Sequence, residues 1–390
     1  MEWKEVRLGD VCSKITDGSH FSPKAQTEGY PMLSVKDMRE YDFDFSNCKK
    51  ISYEDYLKME RDGCVPQIGD VLVAKDGSYL KEIFRCKEQR EIALLSSIAI
   101  FRPNSQLIDS RFLCYCLKSP RVYNYISLNC VSGSALPRII LKDFKGVNIR
   151  VPSLDDQRCI ASILSSLDRK IELNNKINAD LAEMAQAIFK NWFVEFEPFK
   201  DGKCVDTELG MIPEGWKVER LTEIASYMNG LAMQKFPPEN NEDTLPVLKI
   251  KELGQGFCGT DSDRCSCNIK DECKIHNGDV IFSWSGTLLV DVWCGGDCGL
   301  NQHLFKVTSK DYPKWFYYYW TKLHLQEFIH IAKDKAVTMG HIKRGHLEEA
   351  LVAIPNNDSM EKAQELFEPI LSKMISFTIS QKHLYSGTQQ

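Results

Sequence analysis

The sequence predicts a mixed α/β (α+β) fold in which two pseudo-repeated globular units are joined by two long antiparallel coiled-coil helices, with pseudo-twofold symmetry. Three observations predict it: an internal duplication, short strand-forming runs within each copy, and a heptad pattern of apolar residues after each copy. The chain has 390 residues, which is more than one hydrophobic core usually organises, so two or more domains are expected.

The first half of the chain returns in the second half with its landmarks in the same order. The matching segments are WKEVRLGDV (3–11) with WKVERLTEI (216–224), GDVL (69–72) with GDVI (278–281), and VNIRVP (147–152) with ALVAIP (350–355). Because the order is kept while the offset drifts slowly, we interpret the chain as a duplicated unit whose loops have changed length.

Each copy is rich in short runs of β-branched and apolar residues bounded by turn residues, which is typical of strands. The runs are residues 32–35, 71–74, 98–101, 247–250, 280–282 and 304–307. One helical stretch is predicted in each copy, at residues 111–127 and 314–331. The aromatic run at 315–320 could stack on nucleic-acid bases, but its helical context favours packing in the core.

Apolar residues recur at spacings of three and four after each copy, which predicts two long helices of the coiled-coil type. In the first helix the pattern comprises Ile160, Leu164, Leu167, Ile171, Asn174, Asn178, Leu181, Ala185, Ile188 and Trp192. In the second it comprises Met360, Ala363, Phe367, Ile370, Met374, Phe377, Gln381 and Leu384. The helices should pair as a rod; the alternative is that each packs only against its own unit. The predicted divisions are residues 1–152, 153–200, 201–355 and 356–390.

The composition favours a protein of the cytoplasm without a membrane partner. No run approaches the roughly 20 apolar residues of a spanning helix, and the first residues contain no apolar signal core. The 15 cysteines are expected to be reduced thiols. Several of them lie near His276, but the spacing of Cys265 and Cys267 is too short for the usual zinc knuckle, so unligated thiols are preferred over a zinc site between Cys258 and Cys298.

The sequence contains no recognisable catalytic motif, so no catalytic residue and no metal are predicted. The nearest match to a phosphate-binding loop is Gly202-Lys203-Cys204, which lacks the required hydroxyl. The only Pro-Pro pair, Pro237-Pro238, lacks the flanking residues of an adenine methyltransferase.

This arrangement resembles the specificity subunit of type I restriction-modification enzymes over essentially the whole chain. The motifs that carry the resemblance are ITDGSH (15–20), GDVL (69–72), VPSLDDQ (151–157), LDRKIELN (167–174) and, in the second copy, LNQH (300–303). The family usually has Glu-Gln where this chain has Asp156-Gln157, and the second copy lacks the Gln. The second helix is also shorter, and the sequence leaves open whether this weakens docking at that helix.

The resemblance implies a non-catalytic, DNA-reading chain. Residues 1–152 and 201–355 would be target-recognition domains, each reading one half of a split sequence in double-stranded DNA. Residues 153–200 and 356–390 would be spacer helices that set the distance between the halves. Two methyltransferase (modification) subunits would dock on these helices, and restriction/translocase subunits would join for cleavage. S-adenosylmethionine, ATP and Mg are then expected in the partner subunits and no cofactor in this chain.

Candidate DNA-binding residues lie in loops that contain small, basic or amide side chains. Arg and Lys pair with guanine and Asn and Gln with adenine, while glycine allows close approach of the backbone. In the first unit they are Thr16, Ser19, His20, Lys75, Ser78, Tyr79, Ser134 and Arg138. In the second they are Trp284, Ser285, Thr287, Asn301, Gln302, His303, His341, Lys343 and Arg344. The alternative for each loop is a turn that caps a strand.

Candidate partner-binding residues lie on the two predicted helices. They are Gln157, Leu164, Leu167, Ile171, Asn174, Asn178, Leu181, Ile188, Phe367, Ile370, Met374 and Phe377.

The net charge of −5 argues at first against a DNA-binding protein, which usually has a basic surface. However, residues 1–152 carry 23 basic and 20 acidic side chains, so the acidic excess lies elsewhere. The chain alone is therefore expected to bind DNA weakly, with much of the electrostatic affinity supplied by its partners. Two other classes stay open: an unrecognised two-lobed enzyme and a protein-binding scaffold without affinity for nucleic acid.

Overall fold

The computed structural model describes residues 2–77, 81–132, 137–238, 243–334 and 340–388. Contacts within the chain divide it into two compact units, Met1–Glu172 and Leu173–Gln390. No helix in the described ranges is both long enough and apolar enough to cross a membrane.

In the described residues, the first unit contains a four-stranded sheet, a three-stranded sheet, two two-stranded pairs and helices. Its strands are β1 (Lys4–Arg7), β2 (Cys12–Asp17), β3 (Tyr30–Leu33), β4 (Lys49–Ile51), β5 (Val71–Ala74), β6 (Ile83–Arg85), β7 (Ala93–Leu94), β8 (Ile98–Pro103), β9 (Val131–Ser132), β10 (Arg138–Ile139) and β11 (Asn148–Val151). Its helices are α1 (Leu8–Val11), α2 (Tyr53–Arg61), α3 (Ser110–Lys118), α4 (Pro120–Asn129), α5 (Leu141–Gly146) and the first part of α6 (Leu154–Phe193).

The second unit contains the rest of α6 and a second set of elements. Its strands are β12 (Cys204–Thr207), β13 (Gly210–Pro213), β14 (Lys217–Arg220), β15 (Ser226–Asn229), β16 (Thr244–Leu248), β17 (Arg264–Ser266), β18 (Lys274–Ile275), β19 (Val280–Ser283), β20 (Leu289–Val292), β21 (Cys298–Leu300), β22 (Leu304–Thr308) and β23 (Leu351–Ile354). Its further helices are α7 (Leu221–Ile224), α8 (Ile250–Gln255), α9 (Lys314–Asp334), α10 (Arg344–Glu349) and α11 (Asn357–Thr388).

The duplication read from the sequence is present in the strand order of the two units. The first unit has a four-stranded sheet of order β2-β8-β5-β6, and the second has β15-β22-β19-β20. Each unit also has a second sheet, β4-β3-β7 or β17-β16-β21-β18, which contains one parallel pair, β3 with β7 or β16 with β21. The antiparallel pairs β1–β11 and β14–β23 lead directly into the long helices α6 and α11.

The central strands β5 and β19 are buried throughout, because both of their faces are covered. Val71 and Val73 pack in one apolar cluster of the first unit, whereas Leu72 and Ala74 pack in another. This division follows from the two-residue period of a strand, which points successive side chains to opposite faces. The GDVL motif therefore indicates a strand whose two faces are covered by different apolar clusters.

The helical stretch predicted at residues 111–127 is wrong as a single helix. The structure divides it into α3 and α4, with Ser119 as the last cap of one and Pro120 in the first turn of the other. Proline has no N–H and disfavours a helical conformation of the residue before it, so the helix ends there. The stretch predicted at 314–331 is a single helix, α9, and its aromatic run is buried, as expected for core packing.

The pairing of α6 with α11 is confirmed within the second unit. Asn178 Nδ2 lies 3.1 Å from Thr378 Oγ1, and Gln381 Nε2 donates to Asn175 Oδ1 over 2.9 Å. Residue numbers rise along one helix as they fall along the other, so the helices are antiparallel. Polar residues at Asn178 and Gln381 thus lie in the seam, where such residues commonly fix the register.

At the end of α6 the heptad pattern predicted the wrong residues to be buried. Phe189 and Phe193 are the deeply buried positions, whereas Ile188 and Trp192 are only half-buried. The two phenylalanines pack into the aromatic core of the second unit beside Trp216, Trp320 and others. Here the helix serves as part of a globular core, so its buried face no longer follows the coiled-coil seam.

Gln157 attaches the start of α6 to the first unit. Its side chain is buried, its Oε1 accepts from the N–H of Asp109 over 3.0 Å, and its Nε2 donates to the carbonyls of Leu107 and Pro152. The oxygen and the nitrogen of the Gln157 amide thus both bond to backbone groups of the first unit. Gln157 therefore positions the helix and does not belong to a surface that a partner could contact, contrary to its place among the predicted docking residues.

We expect Gln157→Ala to lower the free energy of unfolding by about 1–3 kcal/mol, because it leaves buried backbone groups without partners. Urea unfolding of the full chain measures the change. Arg158→Ala is the matched control, since this neighbour is exposed and forms only an exposed ion pair with Asp155. Equal stabilities of the two variants would contradict the positioning role.

Candidate nucleic-acid interface

The candidate loops of the first unit converge at one place. Asp76 and Arg138 form an isolated antiparallel bridge, and the N–H of Gly77 donates to the carbonyl of Pro137 over 2.9 Å. The side chain of Lys75 reaches Asp17 at the end of β2. Segments that are far apart in the sequence thus form one surface.

Five ionisable side chains lie in series on this surface, with basic and acidic groups alternating, and we call them the charged cluster: His20, Asp17, Lys75, Asp76 and Arg138. Lys75 is its buried centre, with Nζ 3.4 Å from Asp17 Oδ2 and 3.1 Å from Asp76 Oδ1. A buried ammonium requires such counter-charges. At the exposed ends, His20 Nε2 lies 3.3 Å from Asp17 Oδ2 and Arg138 Nε lies 3.5 Å from Asp76 Oδ1.

The candidate loops of the second unit converge in the same way. Ser285 and His341 form an isolated antiparallel bridge, and the N–H of Gly286 donates to the carbonyl of Gly340 over 2.9 Å. Ser285 Oγ lies 3.2 Å from His303 Nδ1, and the indole of Trp284 lies 5.9 Å from the ring of His303 and 6.4 Å from that of His341. With Gln302, whose Nε2 lies 3.3 Å from His303 Nε2, these residues form the imidazole cluster.

The two clusters occupy matching positions on matching backbones. Gly77 and Gly286 both have a φ of 65°, a left-handed conformation that glycine adopts without strain. Through the repeat, Lys75 corresponds to Trp284, Asp76 to Ser285, and Arg138 to His341. The scaffold is therefore shared, while the side chains that it presents differ in charge and shape.

Several of the predicted DNA-binding residues instead form hydrogen bonds within the protein. Ser19 Oγ bonds with the backbone of Phe21 in a turn. Asn301 is buried, and its Oδ1 accepts from the N–H of His303, so its side chain is not available to a ligand. Arg344 donates to the carbonyl of Tyr227 over 3.1 Å, which connects α10 to β15.

The other predicted DNA-binding residues remain accessible or lie outside the described residues. Thr16 is partly exposed on β2, and Thr287, Gln302 and Lys343 are exposed on the loops of the second unit. Ser78, Tyr79 and Ser134 lie outside the described residues.

Sequence reasoning missed the two carboxylates that organise the charged cluster. Asp17 and Asp76 each stand directly before a glycine in a candidate loop, in ITDG and KDG. That placement was a usable signal, but only the fold shows that both carboxylates contact Lys75.

The predicted docking residues on the helices are mostly turned inward. Ile171, Asn174 and Phe367 are buried, and the half-buried ones are Leu164, Leu167, Asn178, Leu181, Ile188, Ile370, Met374 and Phe377. Apolar side chains that the prediction omitted are more exposed: Ile163 (61%), Leu173 (55%), Met184 (53%) and Leu366 (36%). The exposed apolar positions of these helices therefore differ from the predicted docking residues.

The cysteines of the second unit are divided between two apolar clusters. Cys265 and Cys273 pack with Met233 and Val247, whereas Cys298 packs in another cluster against Cys258. Burial raises the pKa of the Cys294 thiol to about 11. In the part of the chain that the structure describes, no three His, Cys, Asp or Glu side chains are grouped to hold a metal ion.

Comparison with known proteins places both units in one family. The family model described as type I restriction modification DNA specificity domain matches residues 1–183 and 213–384. The type I restriction enzyme MjaIX specificity subunit of Methanocaldococcus jannaschii is 29% identical over 407 residues, which cover 96% of this chain and 88% of that protein. The MjaVIII specificity subunit of the same organism is 29% identical over 262 residues, covering 65% of this chain and 56% of its own length.

A solved structure has a similar fold. The crystal structure of the type I restriction-modification system S subunit from M. genitalium aligns with a TM-score of 0.57 over 99% of this chain and 94% of that chain. The sequence identity is 14%, so this likeness concerns the fold alone.

Proposed function

Because the chain belongs to the family of type I restriction modification DNA specificity proteins, we propose that it is the subunit that recognises a bipartite DNA sequence for a methyltransferase and endonuclease complex. The observation that carries the proposal is the pair of loop clusters on one repeated scaffold. Two equivalent surfaces with different side chains suit two different half-sites, because base identity is read by side chains in the grooves.

In this proposal the chain performs no chemistry itself. Methyl transfer and cleavage take place in the partner subunits, which use S-adenosylmethionine, ATP and Mg. The absence of a recognisable catalytic motif in the sequence supports this division.

The long helices are the proposed docking sites for two methyltransferase subunits, which the restriction/translocase subunits then join. Exposed apolar side chains such as Ile163 and Met184 support docking, since a partner would remove them from water. The half-buried seam residues would instead hold α6 and α11 together.

Methylation mapping tests the recognition function. The chain is expressed with the two methyltransferase subunits of its system in a host without adenine methylation, and the modified positions are then sequenced. One bipartite motif is expected, and none when the chain is omitted. Methylation by the chain alone would favour the two-lobed enzyme.

A binding titration separates recognition from a protein scaffold. The assembled complex should bind a duplex that carries the mapped motif, with an affinity that falls as salt rises, because phosphate contacts release counterions. Lys343→Ala should weaken this binding, and Lys310→Ala, an exposed change between β22 and α9 and outside both the recognition loops and the long helices, serves as the matched control. Absence of salt-dependent binding by the complex would favour the scaffold.

A further inference from the structure

Arg138 lies at one exposed end of the charged cluster and contacts Asp76 through Nε. Its side chain is 61% exposed, and Nε forms the ion pair with Asp76 Oδ1 at 3.5 Å. Among the residues that the structure describes, neither terminal nitrogen forms a hydrogen bond. One edge of the guanidinium thus contacts Asp76, and its terminal nitrogens can donate hydrogen bonds to a ligand.

We propose that Arg138 reads a guanine in the half-site bound by the first unit, and that Asp76 is the residue that positions it. The inference rests on the proposed function and deepens it. The planar guanidinium donates two parallel hydrogen bonds, which match the O6 and N7 acceptors of guanine in the major groove. Because Nε contacts Asp76, the two terminal nitrogens would donate the hydrogen bonds to the base.

The position of Asp76 is itself fixed by the buried lysine. Lys75 is only 5% exposed and contacts both Asp17 and Asp76, so the Asp76 carboxylate cannot rotate away without leaving the ammonium undercompensated. Asp76 is 18% exposed and its carboxylate would repel the acceptors of guanine. Its role is therefore to orient Arg138 and not to contact the base.

The second unit provides an internal comparison. His341 occupies the place of Arg138, next to Ser285 and with its ring 6.4 Å from that of Trp284. An imidazole cannot offer two parallel donors to one base edge. The guanine-reading geometry therefore belongs to the first unit, and changes at His341 should affect only the other half of the target.

The experiment compares five variants of the chain in the assembled methyltransferase complex: Arg138→Ala, Arg138→Lys, Asp76→Asn, Asp76→Glu and His341→Ala. Each is titrated with the mapped duplex and with duplexes changed at one base pair at a time. For the unaltered complex, replacing one G·C pair in one half should weaken binding about 5- to 150-fold. Arg138→Ala should lose discrimination at that pair while the other half is read as before.

The remaining variants test how Arg138 is positioned. Asp76→Asn should relax discrimination at the same base pair in part, and Asp76→Glu should restore it, a pattern that general loosening of the fold would not produce. Arg138→Lys keeps the charge but loses the planar pair of donors, so it should restore affinity more than discrimination. His341→Ala should leave the G·C pair discriminated.

Two outcomes would overturn the inference. Unchanged discrimination in Arg138→Ala would do so, and so would an equal loss of affinity for every duplex, which indicates a phosphate contact. Failure of the proposed function is a separate result, because the unaltered complex would then recognise no motif at all. Thermal unfolding of each variant confirms that the exposed changes leave the fold intact.

Discussion

Replacement of Phe193 by alanine is expected to lower the free energy of unfolding of the second unit by about 3–5 kcal/mol. The side chain is 1% exposed and its ring lies 5.7 Å from that of Trp216, 5.7 Å from that of Phe316 and 6.2 Å from that of Phe367. These neighbours belong to different elements of the same core, so they cannot all close over the cavity that the change would leave.

Urea unfolding of the full chain, followed by tryptophan fluorescence, measures the effect because Trp216, Trp315 and Trp320 surround the site. Val194→Ala is the matched control, since the next residue of the chain is 41% exposed and lies just beyond the end of α6. A loss in Phe193→Ala no larger than in Val194→Ala would show that the end of α6 is not part of this core.

The same residue shows where sequence periodicity stops being informative. Near Asn178 the heptad position does fall in the seam with α11, where its amide contacts Thr378. Near Phe193 the helix contacts several elements at once, and both the predicted Trp192 and the observed Phe193 are apolar. Spacing alone could not choose between them, since the choice depends on contacts with residues far along the chain.

The sequence predicted which loops form the candidate site, but not which of their side chains contact one another. Glycines at equivalent positions, Gly77 and Gly286, located the loops because a left-handed conformation restricts the residue type. The pairing of Lys75 with Asp17 and Asp76 could not be read from the sequence, because Asp17 lies on another strand. Asn301 shows the converse: an amide in a promising loop whose side chain completes the loop itself.

The second large effect is expected at two glycines, Gly18 and Gly230, which hold equivalent places at the junction of the sheets in the two units. A Cβ at Gly18 would lie 2.2 Å from the carbonyl oxygen of Leu94, and one at Gly230 would lie 2.3 Å from that of Leu300. Real Cβ atoms do not approach backbone so closely, so the strands themselves would have to separate. Gly18→Ala and Gly230→Ala should each lower the free energy of unfolding by about 3 kcal/mol or more, at or beyond the usual upper range for overpacking.

The place of these glycines links stability to recognition. The residues after them pair with the backbone of the strands that precede β8 and β22, through Ser19 N to Leu94 O over 2.7 Å and Leu231 N to Leu300 O over 2.9 Å. Loss of this pairing would displace the loop that carries Asp17 and His20 in the first unit, and Asn301 to His303 in the second. Hydrogen exchange of the complex should therefore rise locally around the altered glycine, in one unit for each variant.

Gly146→Ala and Gly254→Ala are the matched controls, one in each unit, because a Cβ at either position would meet no atom within 4 Å. Both glycines lie in short helices, where alanine is favoured by up to about 1 kcal/mol, so their variants should be unchanged or slightly more stable. If Gly18→Ala and Gly230→Ala unfold like these controls, the sheets are not in close contact at the two glycines. The alternative result, destabilisation in both units at equivalent positions, would show that the repeated scaffold depends on the same backbone contact beneath the charged cluster and the imidazole cluster.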